Sequence, residues 1–156
     1  MDTPDLIDPE RVIATLHVSD KPQLLLELSQ RAARLLAMDP HLILEALRSR
    51  EALGSTGVGQ GIALPHARVD GLERFFGLFA RLERAINFDA IDGRPVDLVF
   101  LLLTPGRAGN DHLTALASVS RRLRDREVAA QLRAAKSGPE LYDILTRPAP
   151  GMPRSI

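Results

Sequence analysis

Six consecutive apolar residues, Leu98-Val-Phe-Leu-Leu-Leu103, constrain this chain more than any other segment, and Val96 extends the run in the N-terminal direction. The stretch is far too short to cross a bilayer, which takes about 20 residues. It also lacks the apolar–polar alternation of a strand with one wet face. A nearly continuous run of this kind marks a central strand covered on both faces. Asp92-Gly93 just before it is a turn signal. The rest of the chain must therefore supply a layer on each side.

Helical segments are available for that purpose. Asp20-Lys-Pro-Gln23 opens a helix in which Asp20 can cap and Gln23 can reach back, with Leu25, Leu28, Ala32, Leu35 and Leu36 expected inward. Asp39-Pro40 ends that helix and starts a second, with Ile43, Ala46 and Leu47 inward and a stop before Gly54. Gly54 to Gly61 holds four glycines in eight positions, which no regular helix survives; it reads as a loop or strained connection. Ile62-Ala-Leu64 and Phe75 to Leu82 read as strands. A third helix begins at Asn110 or Asp111, with Leu113, Leu116, Ser120 and Leu123 as its buried stripe. Ser137-Gly-Pro-Glu140 is a capping box for a last helix. The pattern predicts an α/β fold: a single layered domain with a central mixed β-sheet flanked by helices on both faces. The expected domain covers residues 5–146, and residues 147–156, rich in proline, are expected to be a flexible tail.

Composition removes several classes of function. Twenty basic residues balance twenty acidic ones, so nothing in the charge favours a nucleic-acid or membrane surface. The chain has no cysteine, which excludes disulfides, thiolate zinc sites and iron–sulfur centres. The acidic start Met1-Asp-Thr-Pro-Asp5 does not read as a signal peptide, and a cytoplasmic protein is expected.

Chemistry then rests on four histidines. His17, His41, His66 and His112 show no i,i+3 or i,i+4 pairing and no HExxH pattern, so no metal site is expected. His17 reads as a partly exposed strand residue and His41 as a solvated residue in a helical first turn. His66 differs: it follows a short apolar strand and Pro65, with the glycine run just upstream. Proline restricts the backbone leading to the ring, and glycines allow another protein's backbone to approach. A neutral imidazole whose proton is held on one nitrogen has a nucleophile on the other. From the residues alone, a phosphoryl acceptor and an ordinary strand-end histidine both remain open. Gly57-x-Gly59-x-Gly61 does not complete GxGxxG, no Walker ending is present, and no GxSxG elbow exists.

The block Arg50-Glu-Ala-Leu-Gly-Ser-Thr-Gly-Val-Gly-Gln-Gly-Ile-Ala-Leu-Pro-His66 resembles the active-site signature of the fructose/mannitol-type IIA domains of the bacterial phosphoenolpyruvate-dependent phosphotransferase system. Ile86 to Phe100 and His112-Leu-Thr-Ala-Leu-Ala resemble later blocks of the family, and the match is best to its nitrogen-regulatory branch, over roughly residues 5–146. The resemblance implies that His66 is the phosphoryl acceptor, that Arg50 and His112 lie beside it, and that Thr56 donates to the phosphoryl group. A guanidinium and helix N-terminal amides both suit phosphate oxygens. The competing readings are a helix-end salt bridge for Arg50 and a turn role for Thr56. A histidine phosphocarrier protein is implied as donor, with no cofactor, metal or nucleotide. Sensor kinases or ion transporters are implied as regulated partners, with neither nucleic-acid binding nor membrane insertion. The alternative is a sugar-transport IIA component that passes phosphate to a separate IIB domain. The chain carries no IIB or IIC segment and no cysteine acceptor, which favours a phosphotransferase-type carrier with mainly regulatory output. Ser19-Asp-Lys-Pro-Gln23 and the loop Thr104 to Asn110 depart from the branch's pattern, and both bear on partner identity.

Overall fold

The computed structural model describes residues 2–148; the last eight residues of the expected tail, 149–156, lie outside the described residues. The elements are β1 (Val12–Leu16), α1 (Lys21–Leu36), α2 (Pro40–Ala52), β2 (Gly57–Gly59), β3 (Ile62–Ala63), β4 (His66–Val69), β5 (Phe76–Ile86), β6 (Val96–Pro105), α3 (Asp111–Arg124), α4 (Arg126–Ala134) and α5 (Gly138–Thr146), preceded by two short 3-10 turns. Strand order is β1-β5-β6-β3-β2, and β4 also pairs with β6. The β5–β6 and β2–β3 pairs are antiparallel; β1–β5, β3–β6 and β4–β6 are parallel. The sheet is therefore mixed, with the apolar run at its centre.

Alternation along β6 divides the core. Val99, Leu101 and Leu103 pack with Leu24, Leu28, Ile43 and Leu47 of α1 and α2. Leu98, Phe100 and Leu102 pack with Val119 and Leu123 of α3, Leu132 of α4 and Leu141 and Leu145 of α5. Each face of the sheet has its own helical layer, as the apolar run Leu98–Leu103 at its centre requires.

The caps hold these helices in place. Asp20 accepts from the Gln23 amide at 2.9 Å, while Gln23 reaches back to the Ser19 amide at 2.7 Å, one residue before the cap. Asp39 caps α2 through the His41 amide, and Ser137 caps α5 through the Glu140 amide. Three expectations need correction. The buried stripe of α3 is His112, Ala115, Val119 and Leu123; Leu113 is 63% exposed. The stripe is turned by one residue because His112 finds a buried hydrogen-bond partner and takes the inward position. Leu35 on α1 is likewise exposed, since Leu24, Leu25, Leu28 and Ala32 already fill the face against the sheet. The glycine run is not entirely loop: Gly57–Gly59 forms β2, and α4 arises where Asp125 caps a new helix with bonds to the Glu127 and Val128 amides. Among the described residues, no helix is long and apolar enough to cross a membrane.

Candidate functional site

Pairing of β4 with β6 sets His66 opposite Leu102 and Arg68 opposite Thr104. Residues two apart on a strand share a face. Ile62, Leu64, Leu98 and Leu102 mark that face as the one covered by α3, α4 and α5. His66 therefore stands at the end of the α3 layer, and its ring centroid lies 5.5 Å from that of His112, with the planes tilted by 58°. His112 is in the first turn of α3 and is buried. Its Nδ1 lies 2.8 Å from the hydroxyl oxygen of Thr104, which is wholly buried in β6.

Arg50 comes from the last turn of α2. Its Nε donates to Nε2 of His66 at 3.1 Å, and another guanidinium nitrogen donates to the carbonyl of Gly54 at 2.9 Å. Among the described residues Arg50 forms no ion pair, so the helix-end salt bridge is absent there. The other ring nitrogen of His66, Nδ1, lies 2.8 Å from the carbonyl oxygen of Leu64. A carbonyl can only accept, so Nδ1 carries the proton and donates it. Nε2 is left with its lone pair, which now accepts from Arg50.

Burial lowers the pKa of His66 below its ordinary value, opposed by the Leu64 hydrogen bond and reinforced by the Arg50 charge. His112 is lowered too, first by burial and then by His66, Arg68 and Arg50. Both rings are thus held neutral, the state a nitrogen nucleophile needs.

Thr56 is 3% exposed and lies elsewhere in the network. Its hydroxyl donates to Oε2 of Glu51, and its amide donates to Oε1 of the same carboxylate at 3.1 Å. Glu51 also meets Lys21 Nζ at 2.9 Å, and Lys21 lies over the Phe88 ring. Residue-level reasoning singled out neither Glu51 nor Thr104. Glu51 stands beside Arg50 in the signature block, which was the only available signal; for Thr104 there was none. His17 and His41 stand apart from the site: His17 is exposed beside Glu83, and His41 is exposed on α2. Among the described residues, no group of three or more His, Asp or Glu side chains is arranged to hold a metal.

Comparison with known proteins places the chain in a family. The family described as "Phosphoenolpyruvate-dependent sugar phosphotransferase system, EIIA 2" matches residues 5–147. A nitrogen regulatory protein of Bradyrhizobium diazoefficiens is 49% identical over 144 residues, covering 92% of this chain and 94% of the relative. One from Escherichia coli is 42% identical over 142 residues, covering 90% and 87%. The crystal structure of nitrogen regulatory protein IIA-Ntr from Neisseria meningitidis superposes with a TM-score of 0.86 at 33% identity, covering 92% of this chain and 98% of that one. The chain belongs to the EIIA 2 family of the phosphoenolpyruvate-dependent sugar phosphotransferase system, with nitrogen regulatory proteins among its relatives.

Proposed function

We propose that this protein is a cytoplasmic histidine phosphoryl carrier of the nitrogen-regulatory branch, which accepts a phosphoryl group on Nε2 of His66 from a histidine phosphocarrier protein and regulates partners according to its phosphorylation state. One observation carries the reading: the Leu64 carbonyl holds the His66 proton on Nδ1 at 2.8 Å, so that Nε2 presents a lone pair beside a guanidinium. In the transfer, the Nε2–P bond forms as the P–N bond to the donor imidazole breaks, and the donor nitrogen keeps the electron pair. The Nδ1 proton stays in place throughout. Arg50 moves its hydrogen bond from Nε2 to the phosphoryl oxygens, where a planar, permanently charged donor group stabilises the spread charge of a loose transition state. His112, whose ring centroid lies 5.5 Å from that of His66, supplies a second donor. For Thr56, a phosphate contact requires its hydroxyl to leave Glu51; otherwise it contributes by holding the loop that carries Gly54.

A protein donor fits the surroundings. Leu53, three residues beyond Arg50, is 85% exposed, and Leu113, next to His112, is 63% exposed. Apolar side chains placed beside a polar site suit a protein surface rather than a free metabolite. The added phosphoryl group brings roughly two negative charges to this rim, enough to change which sensor kinase or transporter surface docks there.

Intact-mass spectrometry after incubation with phosphoenolpyruvate, enzyme I and a histidine phosphocarrier tests the reading. The expected result is an acid-labile gain of one phosphoryl group that His66→Ala abolishes. No gain with an active donor overturns the carrier role. Onward transfer to an added IIB protein, read in the same spectra, would support the sugar-transport alternative.

A further inference from the structure

The hydroxyl of Thr104 is fully buried, and Nδ1 of His112 is its only hydrogen-bond partner among the described residues. A hydroxyl proton in such a place must be donated to something, because leaving a buried donor unpaired is costly. If Nδ1 of His112 carried a proton, it would donate to Thr104, and the Thr104 proton would have no acceptor. Only one arrangement satisfies both groups: Thr104 donates and Nδ1 accepts. The ring proton of neutral His112 is then confined to Nε2. That nitrogen has no protein partner among the described residues, yet none of their buried side-chain nitrogens or oxygens lacks one. Nε2 is therefore at the accessible surface, on the ring that faces His66.

We propose that Thr104 is a positioning residue for phosphoryl transfer: its hydroxyl fixes His112 as the tautomer with hydrogen on Nε2, so that an N–H rather than a lone pair meets the incoming phosphoryl group. A lone pair there would repel the phosphoryl oxygens; an N–H donates to them. The two histidines of the site thus hold opposite tautomers. His66 keeps its proton on Nδ1, donating it to the Leu64 carbonyl, and attacks with Nε2, while His112 accepts the Thr104 hydroxyl's hydrogen bond at a bare Nδ1 and donates with Nε2. The proposal rests on the carrier reading for its chemistry, but the tautomer can be observed without any transfer.

The test uses the full chain labelled with nitrogen-15, and long-range proton–nitrogen correlation spectra recorded where both rings are neutral. The expected spectrum has the His112 proton on Nε2. Thr104→Val, nearly isosteric, is expected to mix the two His112 tautomers and to slow phosphoryl acceptance from the phosphorylated phosphocarrier roughly tenfold or more. Thr104→Ser is expected to restore both. A wild-type spectrum with the proton on Nδ1 of His112 overturns the proposal; so does a Thr104→Val protein that keeps both tautomer and rate, or a Thr104→Ser protein as slow as Thr104→Val. If Thr104→Val does not fold, the wild-type and Thr104→Ser data decide. Failure of the wild type to gain phosphate at His66 would instead sink the carrier reading, with the His112 tautomer still legible in the spectra.

Discussion

Glu51 has a cation on one carboxylate oxygen and a hydroxyl on the other, at 6% side-chain exposure. Lys21, at 16%, shares this shelter against the Phe88 ring. Removing one partner of such a pair leaves the other charge uncompensated in a poorly hydrated place. Glu51→Gln keeps a similar shape but strands Lys21, and it is expected to lower stability by about 2–3 kcal/mol in urea unfolding. Lys21→Met in the same chain is expected to recover most of that loss, the non-additivity expected of a direct contact. The histidines give a second residue-level prediction. Burial lowers His66 and His112 below their ordinary value of 6.5, so as pH falls the unfolded chain takes up protons before the folded one. Their contribution to stability is complete above pH 6.5 and is lost as pH falls through the lowered values. Unfolding free energies measured between about pH 7.5 and 5.5 are expected to fall less steeply in His66→Gln/His112→Gln than in the wild type. An equal slope would mean that the two rings are not held neutral by the fold.

At the scale of elements, the glycine run performs two tasks that side chains would block. A Cβ on Gly57 would come within 2.9 Å of the Ala90 backbone, so β2 can lie against the chain after β5 only because Gly57 lacks one. Gly59 turns the strand at a φ of +97°, which side-chain-bearing residues rarely adopt. Gly57→Ala is expected to cost about 1–3 kcal/mol, through overpacking against backbone that has no rotamer to change. The measurement is the urea midpoint. Much of this level was legible in advance. The apolar run located β6 because full burial leaves no polar alternation to confuse the reading, and the caps at Asp20 and Ser137 announced their helices locally. The stripe of α3 was misread because His112 counts as polar by itself; its inward position depends on Thr104, eight residues away and in another element. Helix α4 was passed over because its start is marked only by Asp125 within a charged run. The site followed the same division. Residue chemistry raised His66 no further than an open choice, and the family signature carried Arg50 and His112 to it. Their geometry, like the existence of the Glu51 and Thr104 contacts, comes from packing, which no local pattern encodes.

For the whole molecule, the central strand β6 carries different loads at its two ends. Its Leu102–Thr104 end pairs with the strand of His66 and touches His112. Toward the other end, Leu98 pairs with Arg81 of β5. Arg81 donates to the carbonyls of Ala14 in β1, of Leu132 in α4 and of Ala135 just beyond α4, at 2.6–2.9 Å. One guanidinium therefore ties the outer strand and the α4–α5 connection to the sheet. Four residues of strand separate this staple from the histidine end, roughly 13 Å. Stability and chemistry should therefore be separable. Arg81→Met keeps the apolar stem but leaves three carbonyls without their charged donor, a loss of about 3 kcal/mol. For a chain of this size that corresponds to a fall in Tm of about 6–12 °C. Below the new transition, phosphoryl acceptance by His66 is expected to keep its wild-type rate, because β4, α2 and the start of α3 do not depend on the α4 anchor. Calorimetry and the mass assay on one preparation of Arg81→Met provide the check. A protein that keeps its Tm would show the staple to be idle, and one that stays folded yet accepts phosphate slowly would show that the two ends of β6 are coupled through the sheet.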